Sequence, residues 1–132
     1  MSAEKGGGPM ILVVEDVEET RDGIEALLKR DGYRVECARD EQDATERAQR
    51  KRPDLMLVSL GGPPVEVIAA ARRVCERTEL GESVPVVIFC VGEVREGDEV
   101  AVGCNVYITN PDNFDQLRNL ISRLLRELRH AA

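Results

Sequence analysis

The sequence predicts one α/β domain in which a parallel β-sheet lies between two layers of helices. The length of 132 residues suits a single domain. Hydrophobic residues make up 42% of the chain and charged residues 33%, which is typical of a globular protein and not of a disordered one. Short apolar runs of strand length alternate with longer segments of helical periodicity, and this alternation favours β-α-β units.

The first half of the chain contains two predicted pairs of strand and helix. Their order is strand 10–14, helix 18–30, strand 33–37 and helix 41–52. The first strand is an unbroken apolar run, as expected of a strand that is buried on both faces. The second strand alternates apolar and polar side chains, which indicates an edge strand with one solvated face. The second helix is polar and turns only Ala44 and Ala48 towards the core.

The second half of the chain continues the same alternation. The predicted order is strand 55–58, loop 59–64, helix 65–78, strand 84–89, helix 93–102, strand 105–109 and a last helix capped by Asp112. The helix at 65–78 is expected to face the core with a stripe of side chains at helical spacing: Val65, Ile68, Ala69, Arg72 and Cys75. The helix at 93–102 is expected to be weak, because it is short and contains Gly97.

Five strands in strict alternation with five helices predict a doubly wound sheet of three layers. In such sheets, ligands bind beyond the carboxyl ends of the strands, where the order of strands reverses. The side chains that directly follow predicted strand ends are therefore the candidate site residues: Glu15, Asp16, Ser59, Cys90, Thr109 and Asn110.

Four segments resemble one known family, the receiver domains of bacterial two-component response regulators, which include the chemotaxis regulators. The segments are residues 11–16 (ILVVED), 53–60 (PDLMLVSL), 85–90 (PVVIFC) and 103–111 (GCNVYITNP). They stand in the order and near the spacing of the family, and the similarity extends from Met10 to Leu128. The resemblance implies a flavodoxin-like (βα)5 fold with strand order 2-1-3-4-5.

The resemblance also implies a role for each position at the strand ends. Glu15 and Asp16 match the acidic pair that holds Mg²⁺ in the family. Ser59 stands where the family has the aspartate that accepts the phosphoryl group. At three switch positions the chain has Cys90 instead of Thr or Ser, Asn110 instead of Lys, and Tyr107 on the last strand, where the family places an aromatic side chain.

These replacements predict a pseudo-receiver, a signalling module that binds proteins without being phosphorylated and is not an enzyme. Ser59 is neutral and has no adjacent base, so it is a poor nucleophile. Mg²⁺ binding is expected to be weak because only Glu15 and Asp16 remain as carboxylate ligands, and we expect no other cofactor. A family site with three carboxylates and one ammonium carries −2, and two carboxylates with Ser59 and Asn110 also carry −2.

Other interpretations remain open from the sequence. The replacements could reflect relaxed selection on the pocket instead of a retained function. The domain could be phosphorylated by unorthodox chemistry at or near Ser59, or the vacated acidic pocket could bind a small molecule. Tyr107 could be a fixed packing residue or a rotamer switch.

The last helix carries more leucine than a narrow core stripe requires. Leu120 and Leu125 widen the stripe formed by Leu117, Ile121, Leu124 and Leu128. The two leucines either belong to a wide core face or form an interaction surface for a homodimer or a protein partner, such as a sensor kinase or a regulator. A basic cluster at Arg47, Arg50, Lys51 and Arg52 is either a solvated helix end or a site for an acidic partner.

Composition excludes several classes of function. A net charge of −7 and the absence of tryptophan argue against a nucleic-acid binder, and no apolar run is long enough to span a membrane. The four cysteines, Cys37, Cys75, Cys90 and Cys104, lack any CxxC spacing and predict reduced thiols in a cytoplasmic protein. The Gly-rich residues 1–9 are expected to be a flexible leader before a domain at residues 10–130.

Overall fold

A computed structural model describes residues 8–81, 83–89, 99–101, 105–109 and 114–131 of the chain. For residues 99–101 and 127–131 it describes the backbone alone. Several sequence-based predictions lie outside the described residues: the leader at residues 1–7, Cys90, Cys104, Asn110 and the helix cap Asp112.

The described part of the chain contains six strands and four helices. They are β1 (Met10–Glu15), α1 (Glu18–Arg30), β2 (Arg34–Ala38), α2 (Glu41–Arg50), β3 (Leu55–Ser59), α3 (Pro64–Arg77), β4 (Val86–Phe89), β5 (Glu99–Ala101), β6 (Val106–Thr109) and α4 (Phe114–Ala131). None of the described helices is both long enough and apolar enough to cross a membrane.

The strands form one sheet in the order β2-β1-β3-β4-β6-β5. The first five strands of this order are parallel, so the predicted three-layer doubly wound fold with parallel strands in the order 2-1-3-4-5 is confirmed. β1 lies inside the sheet between β2 and β3, which explains why its residues are apolar on both faces. The predicted edge position of β2 is also confirmed, because β2 is hydrogen-bonded to β1 alone.

Alternate side chains of the buried strands enter two separate hydrophobic cores. On one face of the sheet, Leu12 and Val14 of β1 belong to the core that α2 and α3 cover. On the other face, Ile11 and Val13 belong to the core that α1 and α4 cover. The two-residue period of a strand places neighbouring side chains on opposite faces, so one apolar run supplies both cores.

The predicted helix at residues 93–102 is wrong over the part that the structure describes. Glu99–Ala101 forms β5, which pairs antiparallel with β6, and Val100 lies opposite Ile108. Gly97 weakens a helix, and β-branched valine favours an extended chain, so pairing with β6 satisfies the backbone better than an isolated helical turn. The sheet therefore gains a sixth strand at its edge.

The core face of α3 differs from the predicted one. The buried side chains are Val67, Ala70, Ala71, Val74 and Cys75. Val65 is 75% exposed and Arg72 is exposed, so the predicted stripe was correct only for Cys75, while Ile68 and Ala69 are partly buried at its border. Alanines on both faces left the rotation of the helix undetermined, and the small Ala70 and Ala71 allow the helix to approach the sheet closely.

Leu120 and Leu125 of α4 are core residues. Leu120 is 2% exposed and Leu125 is 6% exposed, and both belong to the cluster that includes Leu117, Ile121 and Leu124. This burial confirms the wide core face and contradicts the hypothesis that these two leucines form an exposed interaction surface. The stripe is wide because α4 packs both on the sheet and beside α1.

Two members of the basic cluster at the end of α2, Arg47 and Lys51, form ion pairs with nearby acids. Arg47 forms ion pairs with Glu36 at 3.0 Å and with Asp43 at 3.0 Å, and Lys51 lies 3.6 Å from Glu36. Arg52 donates a hydrogen bond to the hydroxyl of Ser83. These pairs favour the solvated helix end over a site for an acidic partner.

Candidate functional site

The carboxyl edge of the parallel strands brings three of the predicted site residues together. Glu15 is the last residue of β1 and Ser59 the last of β3, and the two lie opposite each other in the sheet register. Asp16 follows directly. These residues line one open cleft of about 360 Å³. Its other walls are formed by residues that the sequence analysis did not select: Leu60, Gly61, Gly62, Val67, Ile88 and Phe89.

Glu15 is a buried acid at the floor of this cleft. The residue is 3% exposed, and its Oε2 accepts a hydrogen bond of 3.0 Å from the backbone N–H of Val17. Within the described part of the chain, Oε1 is buried and has no hydrogen-bond partner. A buried oxygen without a partner costs about 1–3 kcal/mol, and more when it carries charge. Glu15 is thus a buried acceptor with one oxygen that the described residues leave unsatisfied.

Arg21 lies near this acid and bonds its backbone instead of its carboxylate. The guanidinium Nη1 of Arg21 donates to the carbonyl oxygen of Glu15 at 2.9 Å. This contact ties the first turns of α1 to the end of β1. It leaves the Oε1 atom of Glu15 unpaired.

Asp16 is exposed and lies beside the loop that follows β3. Gly62 has φ of +109°, a conformation that side chains other than glycine rarely adopt. A Cβ placed on Gly61 would lie 3.8 Å from Oδ2 of Asp16, so this loop passes next to the carboxylate. The Gly-Gly-Pro-Pro run at residues 61–64 was the sequence signal for this wall, since it combines a left-handed turn with Pro64 at the first position of α3.

Ser59 is half-buried beside the acids, and the described residues that line its cleft include no histidine or lysine. The only histidine of the chain, His130, lies in the last turn of α4. Because α4 follows the carboxyl end of β6 and rises about 1.5 Å per residue, His130 lies about 24 Å along the helix from Phe114. The position of His130 in the last turn of α4 therefore separates it from Ser59, which lies at the carboxyl edge of the sheet.

A divalent cation fits this donor set only in part. Among the described residues, no group of three or more His, Cys, Asp or Glu side chains could hold a metal ion. Glu15 and Asp16 supply two carboxylates, and Ser59 adds a neutral hydroxyl. Magnesium is bound in proteins through one or two carboxylates together with water, so the two acids are compatible with Mg²⁺. They supply less negative charge than a site with three carboxylates.

Of the three switch positions predicted from the sequence, Tyr107 lies in the described part of the chain. Tyr107 lies in β6 opposite Val87 and is half-buried against the core that α1 and α4 cover. Thr109, the last residue of β6, is buried. Cys90 and Asn110 follow β4 and β6 in the chain and lie outside the described residues. The packing of Tyr107 favours a structural role, while its use as a switch stays a prediction.

The two described cysteines are protected thiols. Burial raises the pKa of Cys37 to about 11, and the nearby carboxylate of Glu25 contributes in the same direction. Burial also raises the pKa of Cys75, with a smaller contribution from Glu76. Both side chains are free cysteines, as the sequence predicted. A raised thiol pKa lowers the fraction of thiolate, which is the reactive form.

Alkylation of Cys37 and Cys75 is expected to be slow in the folded domain. At about pH 8, about one Cys37 side chain in a thousand is a thiolate, because its pKa is about 11. The rate should rise about tenfold per pH unit towards pH 10 and should increase sharply in denaturant. Mass spectrometry after iodoacetamide treatment of a Cys90→Ser/Cys104→Ser variant measures both rates. Equally fast labelling of the folded and unfolded chains would contradict the burial of these thiols.

Comparison with known families and structures agrees with this geometry. The family model of the response regulator receiver domain matches residues 11–122. The receiver domain of the sensor histidine kinase PA1611 from Pseudomonas aeruginosa PAO1, solved with a magnesium ion coordinated in its active site cleft, is 30% identical and has a TM-score of 0.69. That match covers 89% of this chain and 98% of the other.

Two further solved structures support the fold alone, since their identity is lower. A CheY-like receiver domain protein from Methanospirillum hungatei JF-1 has a TM-score of 0.73 at 19% identity and covers 95% of this chain and 99% of its own. The chemotaxis protein CheY4 from Vibrio cholerae has a TM-score of 0.65 at 21% identity, with 88% of this chain and 98% of that chain covered.

Proposed function

Because this chain belongs to the response regulator receiver domain family, we propose that it is an atypical receiver which acts in two-component signalling by binding other proteins, without being phosphorylated. The observation that carries the proposal is the position of Ser59. It lies at the carboxyl end of β3, opposite Glu15 and inside the acidic cleft, where the family resemblance places the phosphoacceptor aspartate.

The chemistry of phosphoryl transfer explains why this replacement matters. Transfer to a receiver requires an ionised nucleophile, a metal ion that neutralises the phosphoryl oxygens, and a cation near the product. The Ser59 hydroxyl stays protonated at neutral pH, and the described residues place no histidine beside it. The chain also has Asn110 at the position where the resemblance implies a lysine. In this proposal the domain performs no catalysis.

Replacing both the aspartate and the lysine of the family leaves the net charge of the site at −2. An aspartate at residue 59 without the lysine would add a third carboxylate to two acids, one of which is buried. A buried charge without its partner is strongly destabilising, so removing the acid and the lysine together avoids that cost. This balance supports a pocket that has been adapted to work without phosphate.

Magnesium binding in this proposal is weak. The Pseudomonas aeruginosa relative was solved with a magnesium ion coordinated in its active site cleft. In the present chain, Glu15 and Asp16 would hold such an ion, and it would supply charge neutralisation there. Without a third carboxylate, the affinity for Mg²⁺ is expected to be lower than in a receiver that has one.

The proposed partners are proteins of the same signalling system: a sensor kinase, a regulator or a second copy of this chain. A homodimer through α4 would have to use its outer face, because Leu120 and Leu125 are buried within the monomer. We place the domain in the cytoplasm, in keeping with a two-component signalling role.

Incubation with acetyl phosphate and Mg²⁺ is expected to leave the mass of this protein unchanged. Phosphorylation adds about 80 Da, and a phosphoryl group on a carboxylate is removed by hydroxylamine. Intact-mass spectrometry before and after hydroxylamine therefore tests the proposal directly. A typical receiver domain that has an aspartate at this position, treated in parallel, shows that the reagent is active.

A phosphorylated protein would contradict the proposal, and its sensitivity to hydroxylamine would show which type of side chain is modified. An added mass that hydroxylamine removes would show that another carboxylate near the cleft accepts the phosphoryl group. An added mass that resists hydroxylamine and disappears in a Ser59→Ala variant would show unorthodox phosphorylation of Ser59 itself.

A further inference from the structure

The acidic cleft combines an unpaired buried oxygen with apolar walls. Oε1 of Glu15 has no hydrogen-bond partner in the described part of the chain, although the residue is only 3% exposed. The exposed carboxylate of Asp16 stands at the opening above it. Four of the residues that line the cleft are apolar: Leu60, Val67, Ile88 and Phe89. A ligand that combines a positive charge with an apolar stem suits this lining.

An arginine side chain has this chemistry. Its planar guanidinium presents several N–H donors in a fixed fork, so one guanidinium can pair with the carboxylates of Glu15 and Asp16 together. It is more weakly hydrated than an ammonium group, and its aliphatic stem packs well against apolar walls. Mg²⁺ and lysine lose more hydration on entering such a cleft, which makes both less suited to it.

The exposed residue that follows the acidic pair suits a protein as the source of this arginine. Val17 follows Asp16, is 52% exposed, and donates its backbone N–H to Glu15. An apolar residue next to the arginine of a partner would cover this valine, while the net charge of −7 attracts a basic segment. A free guanidinium compound would leave Val17 uncovered.

We infer that this cleft receives an arginine side chain from a protein partner, which pairs with Glu15 and Asp16 while its neighbouring apolar residues cover Val17. The inference rests on the proposed function, since it identifies how the protein-binding module recognises its partner. The inserted guanidinium supplies the positive charge that the described residues of the cleft do not place on Oε1 of Glu15.

Binding of short capped peptides to the intact protein tests this inference. The probe peptide has one arginine between two leucines, and two matched peptides carry citrulline or lysine at the arginine position. Titration followed by amide NMR should shift the signals of Val17, Gly61 and Gly62 with the arginine peptide. Citrulline has nearly the same shape but no charge, so its peptide should bind at least about tenfold more weakly, and the lysine peptide should bind with intermediate affinity.

Two protein variants separate the cleft from general charge attraction. Glu15→Gln removes the buried charge and should lower the affinity for the arginine peptide about tenfold or more. A thermal melt verifies that this variant is folded. Glu19→Gln removes an exposed charge in the first turn of α1 and should leave the affinity within about twofold.

Several outcomes would overturn the inference. Equal binding of the arginine and citrulline peptides, or equal weakening by the two variants, would exclude a specific guanidinium site. Binding of N-acetylarginine amide as tightly as the peptide would assign the site to a small molecule instead of a protein. Labelling by acetyl phosphate contradicts the proposed function whether or not the peptide binds, so failure of the function and failure of the arginine site are distinguishable.

Discussion

Replacement of Leu120 by glutamate is expected to leave the domain unfolded at room temperature. Leu120 is 2% exposed and packs with Leu117, Ile121 and Leu124 in the core beneath α4. Removing its side chain atoms alone, as in Leu120→Ala, should lower the free energy of unfolding by about 2–5 kcal/mol. A carboxylate at the same place adds the cost of burying a charge without a partner, and the sum approaches the whole stability of a typical domain, about 5–15 kcal/mol.

Circular dichroism and urea unfolding of three variants measure this effect. Asn119→Glu is the matched control, because it introduces the same side chain at the neighbouring, exposed position of α4. It should change the free energy of unfolding by less than about 0.5 kcal/mol. If Leu120→Glu stayed folded and only lost the ability to associate, α4 would have to present this face to a partner, and the burial described here would be wrong.

The α4 leucines show what a hydrophobic pattern can and cannot predict. The sequence indicates a wide apolar stripe, but a wide stripe is compatible both with a core and with an interface. The choice depends on which elements α4 contacts, and α1 is separated from it by most of the chain. For α3 the pattern was weaker still, since alanines at residues 69–71 left the rotation of the helix undetermined until the sheet was in place.

The two buried strands β1 and β3 were predictable because their burial on both faces leaves a continuous apolar signal. β1 and β3 lie within about one residue of their predicted ends. β5 was missed because three residues of edge strand carry no such signal and depend on hydrogen bonds to β6, which immediately follows in the fold. A helix was predicted there instead, and only its short length and Gly97 indicated that it would be weak.

The candidate site was predictable in its polar residues but not in its walls. Glu15, Asp16 and Ser59 follow strand ends, and a parallel sheet brings such ends to one edge, so their convergence follows from topology. The unpaired Oε1 of Glu15 depends on side-chain geometry instead. One oxygen of that carboxylate accepts from Val17 and the other has no partner among the described residues, and a sequence pattern does not distinguish the two.

Replacement of Ser59 by aspartate is expected to raise the affinity for Mg²⁺ by about tenfold or more. Residue 59 lies opposite Glu15 in the sheet register and lines the same cleft as Asp16, so the new carboxylate would be the third in one site. The affinity of oxygen-ligand sites for divalent cations rises with the number of charged ligands. Without Mg²⁺, the three carboxylates repel one another, and the variant should melt at a lower temperature than the natural protein.

Calorimetric titration with MgCl₂ and thermal melts with and without Mg²⁺ measure the two effects together. Ser59→Asn is the matched control, because asparagine has the shape of aspartate without its charge and should keep the weak affinity of the natural protein. An ion that binds only the folded state raises the free energy of unfolding by about 2.7 kcal/mol when the free ion is at about 100 times its dissociation constant. Mg²⁺ should therefore restore the melting temperature of the aspartate variant but should not change that of the asparagine variant. Equal Mg²⁺ affinities in all three proteins would show that residue 59 does not face the acidic pair, and the missing carboxylate could then not explain a receiver that works without phosphate.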